Sequence, residues 1–136
     1  MELSLKRIQH IGIPVTDLHR SVAFYERLGF RETMQAAFSH NGAQGQVKMM
    51  EQGDIILELY QMPPDELPKI RDRNDGHIDH IAFDVDDIEK AFTTIKAGGF
   101  TTLEEEPVFL PFWEKGCKFF HILGPDGERL EFNQIL

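Results

Sequence analysis

The stretch His10-Ile-Gly-Ile-Pro-Val-Thr-Asp-Leu-His-Arg20 returns 70 residues later as His80-Ile-Ala-Phe-Asp-Val-Asp-Asp-Ile-Glu-Lys90. The echo continues without a gap to Leu28-Gly29-Phe30 against Gly98-Gly99-Phe100, so the chain reads as two copies of one unit. Each copy opens with a histidine and later carries a glutamate between apolar neighbours, at Leu57-Glu58-Leu59 and Leu130-Glu131-Phe132. Two His and two Glu at matched places point to one shared metal site.

Outward from the first histidine, residues 8–15 alternate around β-branched Ile and Val and predict a strand, with Pro14 suited to its end. Asp17 then predicts a helix cap. Leu18, Val22, Tyr25 and Leu28 follow at helical spacing and Gly29 stops the helix. The second copy repeats the pattern with Asp86 or Asp87 as cap, Ile88, Phe92 and Ile95 on the apolar face, and Gly98-Gly99 as the stop. Three further strands are expected after each helix: 30–38, 45–51 and 54–61 in the first copy, and 100–105, 117–123 and 128–134 in the second. Asn41-Gly42, Gln52-Gly53-Asp54 and Pro125-Asp126-Gly127 are tight-turn sequences, the last two expected to close hairpins.

Each half therefore reads βαβββ, giving an α+β fold in a single domain over 1–136. Its parts are an N-terminal module 5–62, a proline-bearing connector 63–76 and a C-terminal module 77–136. Four strands with one helix leave a sheet face bare, and a half this small cannot bury that face alone. Pairing the two sheets solves this. With side chains alternating along a strand, His10 and His80 can point away from the helices while their odd-numbered neighbours pack beneath them. Gly12 and Ala82 leave room beside each imidazole.

With 14 basic and 23 acidic residues, the formal net charge of -9 argues against nucleic acid and anionic membrane surfaces as partners. No run of 18 apolar residues exists and no basic-then-apolar leader opens the chain, so a cytoplasmic protein acting on a small molecule is expected. Cys117 is the only cysteine, which excludes an internal disulfide and a thiolate zinc cluster. Lys115 and Lys118 flank it as a nucleophile would need, but its alternating surroundings favour a small buried hydrophobe.

Imidazole nitrogens and carboxylate oxygens in a two-and-two set suit one divalent Zn, Ni, Co, Mn or Fe ion and leave positions for water or substrate. A lone His on a strand is ordinarily structural, whereas a carboxylate among apolar residues is costly unless something compensates it. The repeat makes a metal the better explanation of all four. Together with the ending Gly124-Pro-Asp-Gly-Glu-Arg-Leu-Glu-Phe132, these motifs resemble the vicinal oxygen chelate superfamily over nearly the whole chain. The quartet is similar to that of glyoxalase I (lactoylglutathione lyase). The resemblance implies two βαβββ modules pairing their sheets around a shared metal, with His10, Glu58, His80 and Glu131 as ligands. It also implies a metal-dependent lyase or isomerase acting through an enediolate, with Glu131 or Glu58 as the catalytic base, Glu131 favoured, and a homodimer.

The chain departs from glyoxalase I at Pro14, where that family carries an arginine that grips the glutathione carboxylate. Proline offers neither charge nor backbone N–H. Acyl-thioester epimerases share the fold and metal but usually place Gln where this chain has Glu58, and ring-cleaving dioxygenases use two His and one Glu. A metal-free binding module, as in drug-sequestering relatives, is the alternative of a different class. In the segment Glu106-Pro-Val-Phe-Leu-Pro-Phe-Trp-Glu-Lys-Gly116, read as a loop, Phe109, Leu110, Phe112 and Trp113 either pack structurally or wall an apolar substrate site, which Met49 and Met50 would also line unless they are core filler. His77-x-x-His80 is no chelating pair in a strand, and His121 is placed near the site as a supporting partner.

Overall fold

The computed structural model describes residues 3–27, 29–73, 79–123 and 129–136. Leu28, the end of the connector at 74–76 with His77, and the Pro125-Asp126-Gly127 turn lie outside the described residues. The element order is β1 (Leu5–Pro14), α1 (Leu18–Arg27), β2 (Arg31–His40), β3 (Ala43–Gln52), β4 (Ile55–Gln61), a 3-10 turn (Pro64–Glu66), α2 (Leu67–Arg71), β5 (His80–Val85), α3 (Ile88–Ala97), β6 (Val108–Leu110), β7 (Cys117–Leu123) and β8 (Arg129–Ile135). Two βαβββ modules are thus present. The chain forms two compact units, one of residues 10–79 and one of residues 1–9 with 80–136, so the boundary falls inside β1 between Gln9 and His10.

In the unit 10–79 the strand order is β2-β3-β4-β1. Its hairpins follow from local sequence: Asn41 and Gly42 have φ of 50° and 77°, the paired left-handed residues of a two-residue turn whose twist matches the strands. β1 and β4 run parallel, Gly12 lying opposite Glu58. Asp17 accepts a hydrogen bond from the Arg20 N–H (3.0 Å), and Gln61 on β4 takes the Leu18 N–H (2.8 Å). Two donors that a helix start would otherwise leave unpaired are thereby satisfied. At the other end Gly29, at φ 94°, lets the Phe30 N–H reach back to the Tyr25 carbonyl (3.1 Å). Leu18 and Val22 bury against Val15, Met50, Leu57 and Leu59. Each such side chain contributes roughly 1.5–3 kcal/mol on burial.

The second unit repeats these devices. Its strand order is β5-β8-β7-β6, with β5 parallel to β8 and Ala82 opposite Glu131. Asp87, not Asp86, is the cap, accepting from the Lys90 N–H (3.0 Å), and Gln134 on β8 takes the Ile88 N–H (3.0 Å). Gly99, at φ 83°, permits the Phe100 N–H to bond the Ile95 carbonyl (3.3 Å). Ile88, Ala91 and Ile95 pack on Phe120, Ile122 and Phe132. Residues 1–9 join this unit through Lys6 and Arg7, each 3.4 Å from Asp84.

Three expectations need correction. The strand expected at 100–105 is absent: only Thr102 bridges to Ile122, and Leu103 N–H bonds the His121 carbonyl (2.9 Å). The Glu104 carboxylate is turned onto β7 and takes the His121 backbone N–H, which a regular ladder would have given to a backbone carbonyl. The ladder resumes at β6, so the segment 106–116 is a three-residue strand between Pro107 and Pro111 followed by a loop. The connector is also partly helical, its prolines Pro64 and Pro68 occupying first-turn positions where a missing N–H costs nothing.

Candidate metal centre

In the unit 10–79, Ile11 and Ile13 of β1 and Leu57 and Leu59 of β4 turn toward α1. Alternation therefore sends His10 and Glu58 to the opposite face. His10 is buried (3% exposed), with Nε2 3.2 Å from Glu58 Oε2. Met49 on β3, 2% exposed, stands directly across from Glu58 in the antiparallel ladder. Position 12, opposite Glu58 in the parallel pair, is glycine and carries no side chain.

In the other unit, Phe120, Ile122, Leu130 and Phe132 turn toward α3, leaving His121, Glu131 and Asn133 on the far face. His80 Nε2 lies 3.3 Å from Glu131 Oε2. The Asn133 amide donates to Glu131 Oε1 (2.6 Å), and Gln9 donates in turn to Asn133 Oδ1 (2.9 Å), which fixes the orientation of that amide. His121 Nε2 stands 3.2 Å from Glu131 Oε2, while its Nδ1 is 2.7 Å from Glu104 Oε1. Glu104 Oε2 accepts the His121 backbone N–H at 2.6 Å. The imidazole is thus held between two carboxylates.

A carboxylate accepts, so a protonated His121 ring can donate to Glu104 from Nδ1 and to Glu131 from Nε2. Burial alone pushes the His121 pKa down, but hydrogen bonds to Glu104 and Glu131 and their charges outweigh it and raise the value above that of an ordinary histidine. Burial likewise pushes Glu104 up, and the bonds and charge of His121 overcome it, leaving its carboxyl below the usual range.

Within each unit the structure brings its His–Glu pair together. Bonds of about 2.0–2.2 Å to one ion bring neighbouring donors to roughly 3 Å, the spacing that both pairs show. Each His–Glu pair thus offers an imidazole nitrogen and a carboxylate oxygen at a spacing that suits a divalent cation, and in the second unit the Gln9–Asn133 and Glu104–His121 chains supply outer hydrogen bonds to Glu131 of the kind metal ligands carry. Sequence reasoning noted His121 but missed Asn133, Gln9 and Glu104. Period-two alternation from Glu131 would have found Asn133.

The residues expected to line a substrate site are dispersed in character. Phe112 is buried (4%), Trp113 is half-buried with φ 67°, and Phe109 is 52% exposed. The Phe109 ring lies where a Cβ on Gly116 would be, so Gly116 admits it. Cys117 is buried in β7 with Sγ 4.0 Å from Asn133 Nδ2, inaccessible as a nucleophile. Among the described residues no helix is long and apolar enough to cross a membrane.

Fold and side chains together define a duplicated βαβββ protein with a His–Glu pair in each half. The model of the Glyoxalase/Bleomycin resistance protein/Dioxygenase superfamily matches residues 7–132, and the chain belongs to this family. It is 35% identical over 133 residues to YwbC of Bacillus subtilis, covering 95% of this chain and 98% of that protein. It is 33% identical over 135 residues to YaeR of Escherichia coli, covering 95% and 96%. Among solved structures, a Streptomyces coelicolor methylmalonyl-CoA epimerase in complex with 2-nitronate-propionyl-CoA is similar at a TM-score of 0.75 and 25% identity, covering 96% of this chain and 98% of the epimerase.

Proposed function

We propose that this protein is a divalent-metal-dependent enzyme that moves a proton at a carbon next to a carbonyl, in the manner of glyoxalase-type lyases and isomerases. His10, Glu58, His80 and Glu131 would serve one ion. The observation that carries this reading is the recurrence of the same His–Glu pair, 3.2 and 3.3 Å apart, at equivalent places of both halves. When bound, a divalent cation supplies positive charge against the negative charge that develops on adjacent substrate oxygens.

The chain's own residues supply the rest. Glu131 Oε2 or Glu58 Oε2 takes the carbon-bound proton and returns it to the neighbouring carbon. Glu131 is the better base: Asn133 holds its Oε1, so Oε2 is presented in one orientation. Met49 gives the Glu58 side an apolar wall, and Phe112 and Trp113, with Phe109, are the proposed walls on the other unit. Pro14 removes the charge that would bind a glutathione carboxylate, which favours a small hydroxy-carbonyl substrate over a glutathione adduct.

A second reading, epimerisation of an acyl thioester, is supported by the likeness to the Streptomyces epimerase. It needs the same proton abstraction, with a proton then delivered to the opposite face of the carbon, so that one glutamate would act as base and the other as acid. Metal analysis of the protein as purified and of His80→Ala, followed by assays with the methylglyoxal–glutathione adduct and with methylmalonyl-CoA, tests both. One ion per chain, lost in His80→Ala, supports the metal centre, and turnover selects the substrate class. Absence of metal, with no effect of chelator on ligand binding, would replace the enzyme with a binding module.

A further inference from the structure

Glu104 lies in the acidic run Glu104-Glu105-Glu106, where an exposed, solvated carboxylate is the ordinary outcome. Its side chain is only 20% exposed, and both of its oxygens are spent on one residue: Oε2 on the His121 backbone N–H and Oε1 on the His121 ring. Gripped at backbone and at Nδ1, the imidazole has its rotation fixed and its Nε2 aimed at Glu131 Oε2. His80 Nε2 approaches that same oxygen. Asn133, oriented by Gln9, holds the other. The Glu131 carboxylate is therefore set from two sides by two side-chain chains of independent origin.

We infer that Glu104 and His121 are positioning residues that fix which oxygen of Glu131, and at what angle, is offered to the metal. The inference rests on the metal-centre reading above. It gives a reason for the irregular backbone at 101–107: a regular strand would satisfy the His121 N–H with a carbonyl and release the Glu104 side chain. In the first half the position across from Glu58, equivalent to that of His121, is Met49.

The test is zinc affinity, measured by competition with a chromogenic chelator, with thermal unfolding of each metal-free protein in parallel. Outer partners of metal ligands commonly contribute about 10–100-fold in affinity, so His121→Phe and Glu104→Ala are each expected to weaken binding by that factor. His121→Gln keeps an N–H that reaches toward Glu131 and is expected to recover most of the loss. The double variant should bind no more weakly than His121→Phe alone, since Glu104 acts through His121. Wild-type affinity in His121→Phe, with Glu131→Gln weakened, overturns the inference while the metal centre stands. So does a loss confined to unfolding temperature. No zinc binding by the wild type, or unchanged binding by Glu131→Gln, overturns the metal centre and the inference with it.

Discussion

The two halves share a scaffold and differ in what surrounds its carboxylate. Across the antiparallel ladder from Glu58 stands Met49, and across from Glu131 stands His121. Two residues further along the same strands, Tyr60 answers Asn133. The first half thus places an apolar side chain across from its Glu, whereas the second places an imidazole there and adds an amide, both within hydrogen-bond reach of the carboxylate. Duplication preserved the helix caps, the glycine stops and the small residue opposite each Glu, while the residues that touch the carboxylates diverged. The shared devices are those that hold the fold, and the differences gather around the two carboxylates.

The sharpest way to break this comparison is to remove one histidine from each half. His10→Ala and His80→Ala should each weaken metal binding by more than the roughly 100-fold that outer partners reach, and abolish turnover. Equilibrium dialysis of both variants checks it. Loss in only one variant would mean that the ion belongs to one half, and the repeat would cease to be a functional symmetry. Next in size is the contrast between the neighbours. Asn133→Leu should cost about 10–100-fold in metal affinity, because Glu131 Oε1 loses its donor. Met49→Leu, a nearly volume-conserving exchange, should leave affinity within a few-fold of wild type. Equal effects at the two positions would show that the polar clamp does nothing the apolar wall does not.

The preserved devices make a smaller prediction. Asp17→Ala and Asp87→Ala each remove one side-chain acceptor from a helix start and should each cost about 1 kcal/mol, read by denaturant unfolding. Matching losses fit a repeat whose two caps are equivalent. A much larger loss at one would show that its partner glutamine, Gln61 or Gln134, cannot hold that helix start alone.

These caps were legible in the sequence because capping, glycine stops and paired turns act within a few residues, and the repeat states each signal twice. That each half would set a histidine beside a glutamate was legible for the same reason. Glu104 and Gln9 were not. Glu104 sits in a run of three acids with no periodicity to separate it from its neighbours, and its role depends on His121, 17 positions away. Gln9 reaches Asn133 over 124 positions, and alternation from His10 would have sent it to the opposite side. The expected strand at 100–105 failed for a related reason: the β-favouring Thr101, Thr102 and Leu103 say nothing of a carboxylate drawn out of register by an imidazole on β7.

The smallest expected effect bears on what kind of clamp Glu104 and His121 form. In the folded metal-free protein His121 is raised above its ordinary value of 6.5, burial being outweighed by the bonds and charges of Glu104 and Glu131. Its contribution to stability is then complete below that ordinary value and is lost as pH rises through the elevated one. Glu104 is lowered from 4.5, again against burial, so its contribution is present above 4.5 and lost as pH falls through the depressed value. Both contributions coincide between pH 4.5 and 6.5. The unfolding-temperature difference between wild type and His121→Gln, measured with chelator present, should therefore be widest in that interval and narrow on both sides. Because Glu104 is partly exposed, screening keeps this below about 1 kcal/mol. A difference that is flat with pH would mean that the imidazole holds Glu131 as a neutral donor, and that the contrast with Met49 lies in hydrogen bonding alone.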